Sequence, residues 1–472
     1  MDLHEFRKNA HQLVDRMADY LSEIESYPVK SKVSPGEILA GLPSLPPASA
    51  EPFQNIMHDF EKIIMPGITH WQHPSWHGYF TANNSFPSIL AEMLTATLGA
   101  QCMSWMTSPA ATELEQRMME WLQNMYGLPD LFSGVIQDTA STATLCAMLS
   151  AREKYSDFKV NHSGLYHEKI FTVYCSAEAH SSVEKAVKIA GFGSQNLRKI
   201  AVNGNFAMIP EELERTIRED IRSGYVPLLV VAAFGTTGST AIDPLEKITE
   251  IATRFKIWVH VDAAWAGTAL ILPENQHYSA RMADVDSIVI NPHKWMFTNF
   301  DCSAYFVKDR EALIRTFEIL PEYLKTPVDQ RVNNYRDWGI QLGRRFRALK
   351  LWFVIRTFGV EGLRKKINDH ITWAKELANE IEQHPGFELL APADFAVVCF
   401  RYHPDSLDNE QELNRLNAAL LEKINQTGKM FLSHTSLAGK YTLRFVVGQT
   451  NTEQKHVKQA WELIQQLTDD RL

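Results

Sequence analysis

Asp284-Val285-Asp286-Ser287-Ile288-Val289-Ile290-Asn291-Pro292-His293-Lys294-Trp295 decides how the rest of the chain is read. Its first half alternates polar and apolar residues and then turns β-branched, the pattern of a strand that ends buried. Pro292 stops the strand and sets a turn, which presents Lys294 at a strand end between His293 and Trp295. Aromatic and apolar neighbours strip water from an ammonium, which lowers its pKa and makes the amine a better nucleophile. Amines so placed form Schiff bases with carbonyl groups. Lysines in such settings are also commonly surface or snorkelling residues, so the reading needs support from elsewhere in the chain.

Support lies upstream, in Ile257-Trp258-Val259-His260-Val261-Asp262-Ala263-Ala264-Trp265-Ala266-Gly267. This is a second buried strand, and Asp262 is its lone carboxylate. A carboxylate at the end of an apolar strand is costly unless a cation meets it. An ion pair or a helix cap would satisfy it, and so would a pyridinium nitrogen. In the last case two strand ends would offer a carboxylate and an amine to one ligand, the pair that pyridoxal phosphate requires. Further strands are expected at Gly134–Gln137, Ile170–Cys175 and Leu228–Phe234, with helical stretches between them. That alternation indicates βαβ units and an α/β fold with a mostly parallel central sheet flanked by helices.

Three motifs together resemble the pyridoxal-phosphate-dependent group II decarboxylases, most closely the aromatic-L-amino-acid type. They are Asp262-Ala263-Ala264-Trp265-Ala266-Gly267, Asn291-Pro292-His293-Lys294-Trp295 and Asn299-Phe300-Asp301-Cys302-Ser303-Ala304. The similarity runs from His4-Glu5-Phe6-Arg7 to Arg444-Phe445. The resemblance implies a fold type I transferase, with pyridoxal 5′-phosphate held on Lys294 and its ring nitrogen facing Asp262. It implies that His180 stacks on the cofactor ring, and that Thr237, Ala264, Asn291 and His293 surround it. Asp138-Thr139-Ala140-Ser141-Thr142 opens a helix after a short strand. Its hydroxyl residues suit an N-cap or a phosphate site equally well. The resemblance assigns phosphate binding to Ala140 and Ser141, with Thr139 adjacent. It also makes Tyr323, on a polar, proline-punctuated and slightly shortened loop from Leu320 to Asn334, the proton donor delivered by loop closure. Replacing that tyrosine or the histidine is associated in plant and insect relatives with oxidative deamination to an aldehyde. Both residue types are present here, so amine formation is expected, with aldehyde synthesis and histidine decarboxylation as the alternatives.

The domain pattern is a helical arm over residues 1–85, a large cofactor domain over 86–358 and a small α+β domain over 359–472. Phe6, Leu13, Met17, Tyr20, Leu21 and Ile24 recur at helical spacing up to Pro28, and a second helix is expected from about Pro52 to Ile64. The arm is too thin to bury its own apolar face. In the resembling family it wraps a partner subunit, so a homodimer is expected. His70, His73 and His77 invite a zinc reading, but Pro74 interrupts any helix that would align them. The stretch His70–Phe80 reads better as an aromatic wall. The resemblance places Trp71, Tyr79 and Phe80 on the substrate side chain, with Ala82, Gln101, Met103 and Gly343. Gln101 and Met103 replace more apolar or aromatic residues that, in the resembling family, the partner subunit contributes; Gln101 could accept from an indole N–H, pair with a phenol or serve a structural role. In the resembling family the position of Gly343 is glycine in enzymes for larger aromatic or indole side chains and serine in some for histidine or tyrosine, which favours tryptophan, phenylalanine or dopa-like substrates over histidine. Gly343-Arg344-Arg345-Phe346-Arg347 is expected to open a long helix.

Composition narrows the remaining classes. The chain has 472 residues, 45% hydrophobic and 22% charged, enough for two or three domains of an ordinary globular protein. A net charge of −9 argues against a general nucleic-acid binder. The five cysteines are scattered, with neither metal spacing nor a disulfide framework. No apolar run approaches the ~20 residues of a membrane span, and the acidic opening lacks a signal-peptide core. A cytoplasmic enzyme acting on a small molecule, without metal, nucleic acid or membrane, is the expectation.

Overall fold

The computed structural model describes residues 1–166, 169–319 and 331–469. Two compact units divide the chain. One comprises Met1–Thr81, Asn379–Glu388 and Phe400–Leu472, and the other Ala82–Ala378 and Leu389–Cys399.

In the larger unit, seven strands among the described residues form one sheet. They are β1 (Ser133–Gln137), β2 (Phe171–Ser176), β3 (Leu197–Ile200), β4 (Val226–Ala233), β5 (Trp258–Asp262), β6 (Ser287–Ile290) and β7 (Ser303–Val307). Their spatial order is β1-β7-β6-β5-β4-β2-β3. The pairs within β3-β2-β4-β5-β6 are parallel, while β7 is antiparallel to both neighbours. The reversal of β7 follows from its linker. Residues 291–302 hold one helical turn, Pro292–Trp295, and a chain so short returns antiparallel more readily than it makes a parallel crossover. Because β7 is reversed twice over, β1 runs in the same direction as β2 to β6. All six parallel strands therefore end on one side of the sheet.

Burial explains the strand sequences. Every residue of β2 and β6 is buried, so neither strand has a polar face to display. Val173, Cys175, Leu229, Val231 and Val289 pack with Ala143, Ala147 and Met148 of the helix Ala140–Tyr155 in one core. Each such aliphatic side chain contributes about 1.5–3 kcal/mol by leaving water.

Two expectations need correction. Pro292 does not set a simple turn; it opens the short helix Pro292–Trp295, where a proline's fixed φ and missing N–H fit the first position. The long helix begins at Arg347, not Gly343, and runs to Gln383 with a break at Gly359 (φ 64°, ψ 167°). The backbone N–H of Arg344 is engaged by the Gln101 side chain, and Arg345 precedes the helix.

The smaller unit begins with the helix Leu3–Ser22, fixed by a capping box between Asp2 and Glu5. It ends earlier than its apolar spacing suggests, and a 3₁₀ turn, Ile24–Ser26, completes the segment. The second arm helix is Phe53–Asp59, continued by a π-helical turn, Phe60–Ile64. Arg16 reaches Glu61 across the two. The three histidines of the aromatic stretch have separate partners. His70 meets the Tyr20 hydroxyl at 2.8 Å, His73 Nδ1 accepts from the Ser75 N–H, and His77 Nδ1 lies 3.0 Å from the Val446 carbonyl. Among the described residues no group of three metal-ligating side chains comes together, and no helix is long and apolar enough to cross a membrane.

Candidate active site

The carboxyl ends of parallel strands are where open α/β sheets bind ligands. Here those ends carry the residues singled out from the sequence. β1 leads to Thr139, Ala140 and Ser141, β2 to His180, β4 to Thr237, β5 to Asp262 and Ala264, and β6 to Asn291, His293 and Lys294.

Thr139 is the N-cap of the helix Ala140–Tyr155, and its hydroxyl accepts the Thr142 N–H. That bond settles one of the first backbone donors. The N–H groups of Ala140 and Ser141 precede Ala143, the first residue whose N–H bonds back along the helix, and with the helix dipole they favour an anion. Ser141 is exposed.

His180 is oriented by its neighbour. The Ser182 backbone N–H donates to His180 Nδ1 at 3.2 Å, and the Ser182 hydroxyl lies 2.8 Å from the same atom. Nδ1 is thus an acceptor, which leaves the proton of the neutral ring on Nε2. Lost solvation holds this imidazole below its ordinary pKa; Asp262 opposes the shift and Lys294 reinforces it. The three side chains therefore share one electrostatic neighbourhood.

Asp262 ends β5, in register with Ala233 of β4 and Val289 of β6. Its Oδ1 accepts the Ala264 N–H at 3.1 Å, and the Ala264 carbonyl accepts from the Asn291 N–H at 3.2 Å. A continuous run of bonds thus links the aspartate to the lysine turn. Within that turn the Lys294 N–H donates to the Asn291 carbonyl at 2.9 Å, and the Asn291 side-chain oxygen accepts from Ser303. His293 is buried, and its Nδ1 accepts the Cys302 N–H at 2.9 Å. Burial, reinforced by the Lys294 charge, lowers its pKa to about 3, so the ring is neutral. Trp295 stacks on Trp265 at 4.6 Å and 4°, which braces the lysine turn against the β5 end.

Thr237 is exposed in the turn after β4, while Thr236 is buried and its oxygen accepts the Ala241 N–H. Gly235 makes that turn possible. Its φ is +90°, and an added Cβ would lie 2.5 Å from Ala266 Cβ.

Sequence reading missed several supports. Asn83 donates its backbone N–H to the His293 carbonyl at 3.1 Å and its side-chain amide to the Lys294 carbonyl. Ala82, its neighbour, was singled out instead. Ser182 and Ser303 were likewise not recognised as orienting groups. A polar residue next to a motif is the only signal they leave. The arginine cluster at 344–347 says little in sequence, yet Arg344 is buried and doubly bonded to Glu115. Arg347 likewise pairs with Asp301.

Of the substrate-side residues, Gln101, Met103 and Gly343 come together in the larger unit. Gln101 Oε1 accepts the Arg344 N–H at 2.7 Å, Met103 O accepts the Arg336 N–H at 2.8 Å, and a Cβ on Gly343 would lie 3.2 Å from Gln101 Nε2. Trp71, Tyr79 and Phe80 belong to the smaller unit. There Trp71 and Tyr79 stack at 5.8 Å, and Arg444 lies over Phe80 at 4.4 Å. Tyr323 falls outside the described residues.

An amine, a carboxylate, an imidazole and an anion-seeking helix start suit the carbonyl, ring nitrogen, ring face and phosphate of pyridoxal phosphate. Comparison with known proteins agrees. The family model "Pyridoxal-dependent decarboxylase conserved domain" matches residues 35–403. The chain is 43% identical to phenylacetaldehyde synthase of Arabidopsis thaliana, over 99% of this chain and 96% of that one. It is 41% identical to tyrosine decarboxylase 4 of Petroselinum crispum, over 99% and 94%. The fold superposes on Catharanthus roseus tryptophan decarboxylase in complex with L-tryptophan with a TM-score of 0.94, at 38% identity, covering 100% of this chain and 99% of that one. This chain belongs to the pyridoxal-dependent decarboxylases, enzymes of the fold type I architecture that use pyridoxal 5′-phosphate as cofactor.

Proposed function

We propose that this enzyme decarboxylates an aromatic L-amino acid to the corresponding amine and carbon dioxide. The observation that carries the reading is the shared neighbourhood of Lys294, Asp262 and His180 at the strand ends, beside the helix start at Ala140. Relatives named as tyrosine decarboxylases and a tryptophan decarboxylase support the aromatic substrate.

When bound, pyridoxal 5′-phosphate supplies the electron sink for the pair left by departing carbon dioxide. Lys294 would hold the cofactor through its Nζ and supply the amine that the substrate's own amine replaces. Asp262 keeps the ring nitrogen protonated, because a nearby anion favours the charged form. Backbone N–H groups of Ala140 and Ser141, with Thr139, hold the phosphate. His180, its proton on Nε2, lies against the ring. Thr237, Ala264, Asn291 and His293 shape the rest of the cradle. Tyr323 returns a proton to the substrate α-carbon, and closure of its loop excludes water. Trp71, Tyr79, Phe80, Ala82, Gln101, Met103 and Gly343 receive the side chain.

The same reading makes the protein a cytoplasmic homodimer in which residues 1–85 act as an arm on the partner. Exposed apolar side chains support it: Leu3, Phe6, Leu13 and Val14 on the first helix, and Phe86, Leu90, Met93, Leu94 and Leu98 on the helix Phe86–Leu98. All five cysteines are free and buried, in keeping with a reducing compartment.

A second reading, aromatic aldehyde synthesis, is favoured by the 43% identical phenylacetaldehyde synthase. The presence of both His180 and Tyr323 favours the amine. Purified, cofactor-loaded enzyme incubated with tyrosine, phenylalanine, tryptophan and histidine separates the two. Carbon dioxide and amine in equal amounts, without peroxide, are expected from one or more aromatic substrates. Aldehyde and peroxide would replace this reading with the second, and turnover of histidine alone would remove the aromatic assignment.

A further inference from the structure

The helix that carries Lys294 is a single turn, Pro292–Trp295, and the last carbonyls of any helix lack partners within it. Just past it Phe297, at φ +54°, turns the chain aside. Donors for these carbonyls come from a segment 211 residues away in sequence. Asn83 donates its backbone N–H to the His293 carbonyl at 3.1 Å and its side-chain Nδ2 to the Lys294 carbonyl. Nearby, the Ser85 hydroxyl donates to the Phe297 carbonyl at 2.7 Å. Asn83 and Ser85 are both buried.

The segment that supplies these donors is itself anchored. The Ser85 N–H donates to Ser88 Oγ at 2.9 Å, and the Ser88 hydroxyl donates back to the Ser85 carbonyl at 2.8 Å, which fixes the start of the helix Phe86–Leu98. Further along that helix Glu92 Oε1 lies 2.7 Å from Lys350 Nζ, and the Lys350 side chain is fully buried in the helix Arg347–Gln383. Asn83 therefore reaches the lysine turn from a fixed base.

A lysine amine sits at the end of a flexible four-carbon stem, and it is only as well placed as the peptide that carries it. We infer that Asn83 is a positioning residue for Lys294: by holding the Lys294 carbonyl it keeps Nζ within reach of the cofactor's aldehyde carbon. This rests on the reading of Lys294 as the cofactor-binding amine. Nζ and the aldehyde form a C=N bond with loss of one water, and the bond forms only while the amine is in place. The backbone bond from residue 83 to His293 survives substitution, so the side-chain bond to Lys294 carries the effect. Without it the peptide after Lys294 rotates more freely, and the amine spends a smaller share of its time in the productive position. Apparent affinity for a ligand that bonds to Lys294 falls by that share. A ligand that needs only the surrounding cradle loses nothing.

Two ligands separate these cases. Pyridoxal 5′-phosphate and pyridoxamine 5′-phosphate share the ring and the phosphate, but only the first has the aldehyde that Lys294 can bond. Equilibrium dialysis of the full-length apoenzyme against each gives a ratio of affinities that reads the lysine. Asn83→Leu is close in size and has no donor, and the hydroxyl of Asn83→Ser is too short to reach the Lys294 carbonyl. Each should weaken pyridoxal 5′-phosphate by about three- to tenfold, the range one hydrogen bond covers, and leave pyridoxamine 5′-phosphate unchanged. Ser85→Ala loses the bond to Phe297, further along the turn, and should leave the ratio as it is in the wild type. An unchanged ratio in the Asn83 variants, whether both ligands weaken alike or neither does, would overturn the inference and leave Asn83 a role in the fold alone. An equal fall of the ratio in Ser85→Ala would overturn it too, because any loosening of the turn would then suffice. Lys294→Ala should remove the preference for pyridoxal 5′-phosphate. If that variant kept the wild-type ratio, the reading of Lys294 on which the inference rests would itself fail.

Discussion

The residues proposed to hold the cofactor and those proposed to meet the substrate ring are placed by different principles. On the cofactor side, each functional group sits at or just beyond the end of a strand or the start of a helix, and its position follows from a few consecutive residues. On the substrate side, Gln101 and Gly343 are brought together by a buried pair, Glu115 and Arg344, that lies far apart in sequence. The first arrangement fixes chemistry common to many substrates. The second is proposed to set which ring fits, and it is tied to the sheet through Ile136 of β1.

That contrast can be broken at several points. Lys294→Ala should abolish turnover and the visible band of the lysine-bound cofactor, while the fold persists, because the residue is only partly buried and its turn is held by Asn291, Asn83 and Trp265. Turnover by the loaded variant at even a tenth of the wild-type rate would detach the chemistry from this strand end.

Glu115→Ala should cost about 3–5 kcal/mol in urea unfolding, since it leaves the Arg344 guanidinium buried without its carboxylate. A loss well below about 1 kcal/mol would mean that the clip between β1 and the Gly343 segment is not structural.

Gly235→Ala should destabilise by about 1–3 kcal/mol through its positive φ and the encounter with Ala266. Weaker cofactor retention should accompany it, because the Thr237 turn is displaced. Unchanged stability would show that the turn relaxes freely.

The last expected effect is a pH slope. Burial holds His260 near pKa 4 and His293 near 3 in the fold, against 6.5 for the free side chain. Both are neutral when folded and take up a proton on unfolding. Their contribution is complete above about pH 6.5 and is lost as pH falls toward about 4 for His260 and about 3 for His293, by up to about 1.4 kcal/mol per pH unit for each histidine. Replacing His293 by Asn should remove one proton's share of that slope in unfolding titrations between pH 6.5 and 4. An identical slope would place the acid sensitivity elsewhere.

How much of this could be read beforehand follows the same division. The strand ending at Ile290 and the one ending at Asp262 were legible because a buried strand has a short, local signature, and the carboxylate and amine stand out against apolar runs. The helix start at Ala140 was legible because hydroxyl residues before an apolar helix have a local meaning. The reversal of β7 and the strand Leu197–Ile200 were not anticipated. Both depend on which strands become neighbours, which no local pattern states. Arg344 was unreadable for a related reason. Its partner Glu115 lies on the helix Pro109–Met125, and a pair that distant leaves two charges that look solvated in sequence. The orientation of the Gln101 amide needed the structure altogether, because an amide's two ends are decided by whatever meets them.

The most direct test of the account is to locate the cofactor's covalent anchor. Borohydride reduction of the loaded enzyme, followed by proteolysis and mass spectrometry, should find the pyridoxyl group on Lys294 alone, in the peptide containing Asn291-Pro292-His293. A pyridoxyl group on a different lysine, or none on the wild-type protein under conditions that load it, would contradict the assignment of these strand ends as the active site.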